Sequence, residues 1–436
     1  MSFGATHMVC SACGAESDAV DELPFPCPAA REGDDVDHVL CKVLATERVT
    51  FAHEDSENPF ERYREMFHSY QFACQYGLRD DEWVGLVVEL DQKIRAVDGG
   101  GFQRTPFARN DELSDALGFN NGGGVWIKDE TRGVSGSHKS RHLFGIALYL
   151  AAFEKLGFLA SGGEHLFAIA SCGNAALAAA VIARALENPL EVFIPVDADP
   201  AVVAKLGALG ARITTCPRVE GVAGDPCVVK YRERVATGAL PFTVQGPENG
   251  LVIEGGSTLA YEMAELAADQ GFTLDHLFVQ VGGGALATAC VRGFEEAAAV
   301  GCGKPPVVHT VQTLASPLSE AYGRALSSAA GNELAQHRSE FMRPLSQEPS
   351  SIATGILDDE TYDWRTLIES ALATKAAPIT CTEERLQEAW ELGNRVCDSK
   401  VSATGTAGLA GLLELRSRGE LDLASKVAVL FTGVER

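Results

Sequence analysis

At 436 residues the chain is long enough for two or three domains and a large core, and 46% of it is hydrophobic. No apolar run reaches membrane-spanning length, and a formal charge of −24 argues against nucleic acid or an anionic membrane as a partner. The start, M-S-F-G-A-T-H, lacks the regions of a signal peptide, and twelve scattered cysteines suit reduced thiols, so a cytoplasmic protein is expected.

Residues 1–45 differ in character from the rest of the chain. Cys10 and Cys13 are two residues apart and followed by glycine, a knuckle that can place two thiolates on one tetrahedral metal. Cys27 has no second cysteine beside it, so a complete site must draw on Cys41 or His38. The set Cys10, Cys13, Cys27 and Cys41 is taken as the candidate for a structural zinc, with a metal-free knuckle as the alternative.

Residues 60–97 show a helical pattern, and R-T-P-F at 104–107 fixes the backbone through Pro106. Residues 125–142 open as an apolar strand, turn through Gly133 and Gly136, and put Lys139 where a helix begins, with Ser137 as its cap. A helix N-terminus is electropositive, so its field lowers an amine's pKa, which suits a Schiff-base lysine. Strands are expected at 166–170, 190–195, 212–215, 277–281, 307–311 and 427–431. Helices are expected at 175–186, 202–210, 251–265, 386–397 and 407–415. That alternation implies a parallel, doubly wound α/β sheet. Residues 325–349 carry the least pattern and read as a surface excursion or mobile lid. There are no internal repeats.

Three further segments fall, like the lysine turn, at strand ends, where open α/β sheets bind ligands. Ser171, Cys172, Gly173 and Asn174 form a turn whose N–H groups and side chains can hold a carboxylate. Gly282, Gly283 and Gly284, followed by Ala285, let backbone N–H groups converge on a phosphate with no Cβ in the way. No G-K-[ST] follows, which excludes an ATP P-loop. Residues 402–407, S-A-T-G-T-A, place hydroxyls at a helix start.

K-D-E-x(5)-G-S-H-K-x-R, ending at Arg141, resembles the active-site lysine segment of the fold-type II pyridoxal-phosphate enzymes. This tryptophan synthase β family holds threonine synthase, serine and threonine dehydratases and cysteine synthase. The S-x-G-N turn, the glycine run, R-T-P-F and the 402–407 stretch resemble family segments in the family's order, over about three-quarters of the chain. The resemblance implies two doubly wound α/β domains with pyridoxal 5′-phosphate between them, behind a small N-terminal extension. The large domain would be 46–145 with 246–436, the small one 146–245, and the extension 1–45. It implies that Lys139 carries the cofactor as an internal aldimine beside His138. Gly282, Gly283, Gly284 and Ala285 would hold its phosphate, and Asn174 its 3′-oxygen. Ser171, Cys172, Gly173 and Asn174 would take the substrate carboxylate, and Thr404 would face the pyridine nitrogen. A neutral hydroxyl there leaves the ring unprotonated, which favours elimination and replacement over transamination.

The implied activity is a lyase that abstracts an amino acid's α-proton and eliminates its β-substituent, giving a 2-oxo acid and ammonia. Ser140, where threonine synthases usually have Asp, favours it. A threonine synthase-like replacement on O-phosphohomoserine is the alternative, supported by the N-terminal cysteines, I-E-G-G-S-T-L-A-Y-E at 253–262 and residues 353–364. A β-replacement synthase and a non-catalytic binding protein on the same fold complete the set. The expected partners are an amino-acid substrate and a second copy of the chain in a homodimer. Because the sequence stops at Arg436, no C-terminal regulatory domain is expected.

Overall fold

A computed structural model of the protein describes residues 4–17, 23–53, 56–159, 165–218, 224–328, 333–346, 349–398 and 400–436. Strands β1 (Thr6–Cys10) and β2 (Leu40–Leu44) pair antiparallel in the N-terminal extension. The main sheet contains β3 (Phe107–Asn110) and β4 (Gly124–Asp129). A smaller sheet contains β5 (Phe167–Ala170), β6 (Leu190–Ile194), β7 (Arg212–Thr215) and β8 (Leu240–Pro241). The chain then returns to the main sheet as β9 (His276–Gln280), β10 (Val307–Thr313), β11 (Ile379–Cys381) and β12 (Lys426–Phe431). The main order is β11-β10-β9-β12-β4-β3, parallel except at the β3 edge, and the small order is β7-β6-β5-β8, all parallel.

Period-2 alternation explains why the central strands read as continuous apolar runs. Val427, Val429 and Phe431 of β12 enter one core with Leu409 and Leu412 of the helix Ala403–Ser417. Ala428 and Leu430 enter the other, with Leu259 of the helix Val252–Asp269 and Leu286 of the helix Ala285–Ala299. Both faces of the strand are therefore covered, as a doubly wound sheet requires.

The helices Lys139–Lys155 and Val252–Asp269 approach backbone to backbone. A methyl group at Gly145 would lie 3.2 Å from Gly255 Cα, and one at Gly255 would lie 2.1 Å from the Arg141 carbonyl. This close packing accounts for the paired glycines of I-E-G-G-S-T-L-A-Y-E.

The 325–349 stretch is not an excursion over its described part. It carries the short helices Glu333–Gln336 and Arg338–Phe341 and buries Leu334, Phe341 and Met342. Arg338 N–H and Ser339 N–H tie it to Asp35 of the extension at 2.8 Å each. Residues 329–332 and 347–348 lie outside the described residues. Three eleven-residue helices, Pro226–Ala236, Pro317–Ser327 and Trp364–Thr374, were not expected, although Asp225 before Pro226 is a helix-start signal and does cap the first of them.

Candidate active site

Lys139 is the first residue of its helix, as expected, but Ser137 does not cap it. His138 takes the capping position with helical backbone and no side-chain cap bond, and Ser137 Oγ is buried without a hydrogen-bond partner. The turn is strained: Ser135, a non-glycine, sits at φ +57°, and Gly136 at φ +67° leaves only 2.7 Å from a would-be methyl to Val434 Cγ1. Burial lowers the Lys139 pKa, and the carboxylates of Asp358 and Asp363 partly oppose the shift. Burial, rather than the helix field, is the leading cause. His138 is driven neutral mainly by burial; its Nδ1 lies 3.1 Å from the Thr432 carbonyl and its Nε2 has no partner.

Behind the turn, the motif residues form a buried box of charges. Arg141 donates to Glu130 at 2.8 and 3.0 Å, to Glu262 at 2.5 Å, to Thr258 at 2.9 Å and to the Thr105 hydroxyl at 3.1 Å. Lys128 pairs with Glu262 and donates to the Thr105 carbonyl at 2.8 Å. Burial pushes the Glu262 carboxyl up, but Arg141 and Lys128 outweigh it and hold its pKa low. K-D-E, R-T-P-F and the 253–262 segment are therefore parts of one scaffold under Lys139.

The other segments gather at the same strand ends. Gly433, two residues past β12, bridges to Ser137, and a methyl there would lie 2.7 Å from Asn174 Nδ2. Asn174 Oδ1 accepts from Arg436 Nε at 3.0 Å, and Ser171 Oγ accepts from the Gly173 N–H at 3.4 Å. Cys172 is exposed at the tip of this turn. Gly284, at φ +97°, leads into Ala285 and its helix. The glycine cradle is lined by residues 356–363: a methyl at Gly282 would lie 2.2 Å from Asp358 Oδ2, and one at Gly283 would lie 3.0 Å from Tyr362 Cδ2. The pKa of Asp358 is raised to about 6, chiefly by burial.

Among the described residues no hydrogen bond joins Thr404 to the lysine turn. Its hydroxyl accepts the Gly355 N–H at 2.9 Å, while Ser402 caps the helix by accepting from Gly405. The hydroxyl residue beside the lysine turn is Thr432. Its carbonyl accepts from the His138 N–H at 3.2 Å, and its Oγ1 accepts from Gln280 Nε2 at 2.6 Å. The available signal was a hydroxyl residue followed by glycine at the carboxyl end of an apolar strand.

In the extension, Cys10, Cys13, Cys27 and His38 bring their ligand atoms within 4.8 Å of one another. Cys41 is not among them. It pairs with Val9 and so shares that residue's face of the hairpin, opposite the face of Cys10. Cys13 Sγ to Cys27 Sγ is 3.7 Å and Cys10 Sγ to His38 Nδ1 is 3.4 Å. A tetrahedron with zinc–sulfur bonds of about 2.3 Å has an edge of roughly 3.8 Å, so the donors stand at liganding separation. The other imidazole nitrogen lies 3.3 Å from Asp34 Oδ2, the usual outer partner of a metal-bound histidine.

A lysine, a glycine cradle and a polar turn at the carboxyl ends of parallel strands define an α/β protein with a small-molecule site at its strand ends. Residues 100–433 match the family model described as pyridoxal-phosphate dependent enzyme, and the chain belongs to that family. It is 28% identical over 206 residues to the biosynthetic L-threonine dehydratase of Haemophilus influenzae, a match covering 47% of this chain and 35% of that one. It is 23% identical over 357 residues to a threonine synthase of Halalkalibacterium halodurans, covering 81% and 89% respectively. The chain thus spans only about a third of the matched dehydratase. Among solved structures, a threonine deaminase from T.th. superposes with a TM-score of 0.59 at 23% identity, over 80% of this chain and 98% of that one, which shows the fold.

Proposed function

We propose that the chain is a pyridoxal-phosphate-dependent lyase that removes the α-proton of an amino acid and expels its β-substituent, releasing a 2-oxo acid and ammonia. The observation that carries this reading is the buried, pKa-lowered amine of Lys139, set between the cradle and the Ser171–Asn174 turn. The residues present fit the cofactor. The Asp358 carboxyl lies against the Gly282 backbone where a phosphate oxygen would sit, and Ser137 Oγ and His138 Nε2 are buried polar atoms with no partner among the described residues.

Gly282, Gly283, Gly284 and Ala285 would hold the phosphate. Lys139 would hold the cofactor's carbonyl carbon, and Thr432 rather than Thr404 would face its ring nitrogen. Thr432 Oγ1 already accepts from Gln280, which leaves its proton to donate. When bound, the cofactor withdraws electrons from the substrate's Cα. Ser171, Gly173 and Asn174 bind the carboxylate and orient the α C–H bond toward Lys139. The Lys139 amine, whose pKa burial lowers, takes the α-proton. The electron pair of that C–H bond becomes a Cα–Cβ double bond as the β-substituent leaves, and water completes release of the 2-oxo acid and ammonia.

A threonine synthase-like replacement is the second reading, favoured by the greater coverage of that relative. A product assay with serine, threonine and O-phosphohomoserine tests both: keto acid and ammonia from the first two support the lyase, and threonine with phosphate from the third supports the synthase.

We further propose a structural zinc on Cys10, Cys13, Cys27 and His38, a cytoplasmic homodimer, and a large domain of 46–145 with 246–436 around a small domain of 146–245. All twelve cysteines are free, which supports a reducing compartment, and no described helix is long and apolar enough to cross a membrane.

A further inference from the structure

We propose that the Cys10–Cys13–Cys27–His38 centre is a clamp on the glycine cradle, with Asp37 as the positioning residue between them. The inference rests on reading the cradle as the cofactor's phosphate site. Ser11 lies between two metal-ligand candidates and Asp37 directly precedes a third. Both reach Arg365, and Asp37 reaches Trp364 as well. Asp37 Oδ1 accepts from Trp364 Nε1 at 3.0 Å, and its Oδ2 accepts from Arg365 Nε at 3.3 Å. The Arg365 guanidinium also meets Ser11 Oγ. Asp37 and Trp364 are fully enclosed, so neither bond is replaced by water when the geometry slips.

The residue before this pair is part of the cradle wall. The Asp363 N–H donates to the Gly283 carbonyl at 2.8 Å, and its Oδ2 accepts the Gly246 N–H at 3.1 Å. A methyl at Gly284 would lie 3.2 Å from Asp363 Cβ, and one at Gly246 would lie 3.4 Å from Val39 Cγ1, next to His38. The run Asp363–Trp364–Arg365 is thus bonded to the cradle at one end and to the metal loops at the other.

The β1–β2 pair of the extension is too small to be stable alone. Its loops are held against the body by bonds such as Asp37 N–H to the Ala335 carbonyl and Ser339 N–H to Asp35, and metal binding adds to that ordering. Ordering Ser11 and Asp37 orders Arg365 and Trp364, and through Asp363 it fixes the backbone of Gly283. Coupling of this kind is reciprocal: the metal must raise cofactor affinity by the same factor as cofactor raises metal affinity.

The test uses the full chain, with zinc content and cofactor dissociation constant measured together. The expected result is one zinc per chain, cofactor binding weakened about tenfold after chelation, and recovery on adding zinc. Asp37→Asn should keep its zinc yet bind cofactor as weakly as the chelated wild type, and Trp364→Phe serves if that variant fails to fold. Cofactor-loaded protein should also lose zinc to a chelator about tenfold more slowly than cofactor-free protein. Equal cofactor affinity with and without zinc, or normal cofactor binding by a chain that takes no zinc, overturns the clamp. A zinc-loaded chain that binds no cofactor overturns the cradle reading and the clamp with it, and the zinc content tells the two failures apart.

Discussion

The Asp358 carboxylate lies against the backbone of Gly282, where a methyl group would stand 2.2 Å from its Oδ2, inside the cradle where a phosphate oxygen would be received. Two anions cannot share that space, so the side chain must turn away when a phosphate enters. Asp358→Asn removes the charge while keeping the shape, and should bind cofactor several-fold more tightly, read from a cofactor absorbance titration. Weaker binding would show that Asp358 helps hold the cofactor rather than competing with it.

The same carboxyl gives a pH signature. Its pKa rises from 3.8 to about 6, and that of Asp363 to about 7, burial leading in both. A carboxyl raised on folding stabilises the fold most below its ordinary value, and that contribution is lost as pH climbs through the raised one. The stability of cofactor-free Asp358→Asn relative to wild type should therefore grow between about pH 4 and pH 6 and then level off. Urea melts across pH give the curve; a flat difference contradicts the raised pKa.

Lys139→Ala should fold normally and lose turnover, together with the visible cofactor band that borohydride abolishes, because no other described lysine lies in this turn. Retained turnover by the purified variant contradicts its assigned role.

Thr432→Val and Thr404→Val separate two hydroxyls. Replacing the ring-facing one should shift the bound cofactor's absorption and alter the ratio of products. Replacing the other should cost well under about 1 kcal/mol of stability, because water takes the exposed Gly355 N–H, and leave the spectrum alone. The spectra decide between them; a shift only in Thr404→Val reverses the assignment.

Arg141→Met should be severe for a different reason. It leaves Glu130 and Glu262 buried with only Lys128 to compensate, a loss of about 3–5 kcal/mol in a denaturant melt. A loss under about 1 kcal/mol would mean that water or rearrangement already shields the box.

Much of this was legible in the sequence because period and chemistry coincided. The strand at 427–431 is apolar throughout, and that at 277–281 is apolar but for Gln280, since both faces are covered, and the glycines at 282–284 sit where backbone must come close. What escaped depends on faces and on long-range partners. Cys41 is as near to Cys27 in sequence as any ligand needs, yet hairpin register turns it to the wrong side, and His38 before the strand takes its place. Thr432 and Thr404 both follow plausible hydroxyl patterns; only the arrangement around β12 brings Thr432 to His138. Ser137 looked like a cap, but the turn it belongs to holds its hydroxyl away from the helix.

The Lys128–Glu130–Arg141–Glu262 box also constrains how this sequence can drift. Two positive and two negative side chains are enclosed together, so the set is neutral as a whole and charged after almost any single replacement. Each one-step path away from it passes through a chain with an uncompensated buried charge. Divergence at these four positions should therefore occur in concert, and an engineer who moves the scaffold to a new substrate should transplant or replace them together.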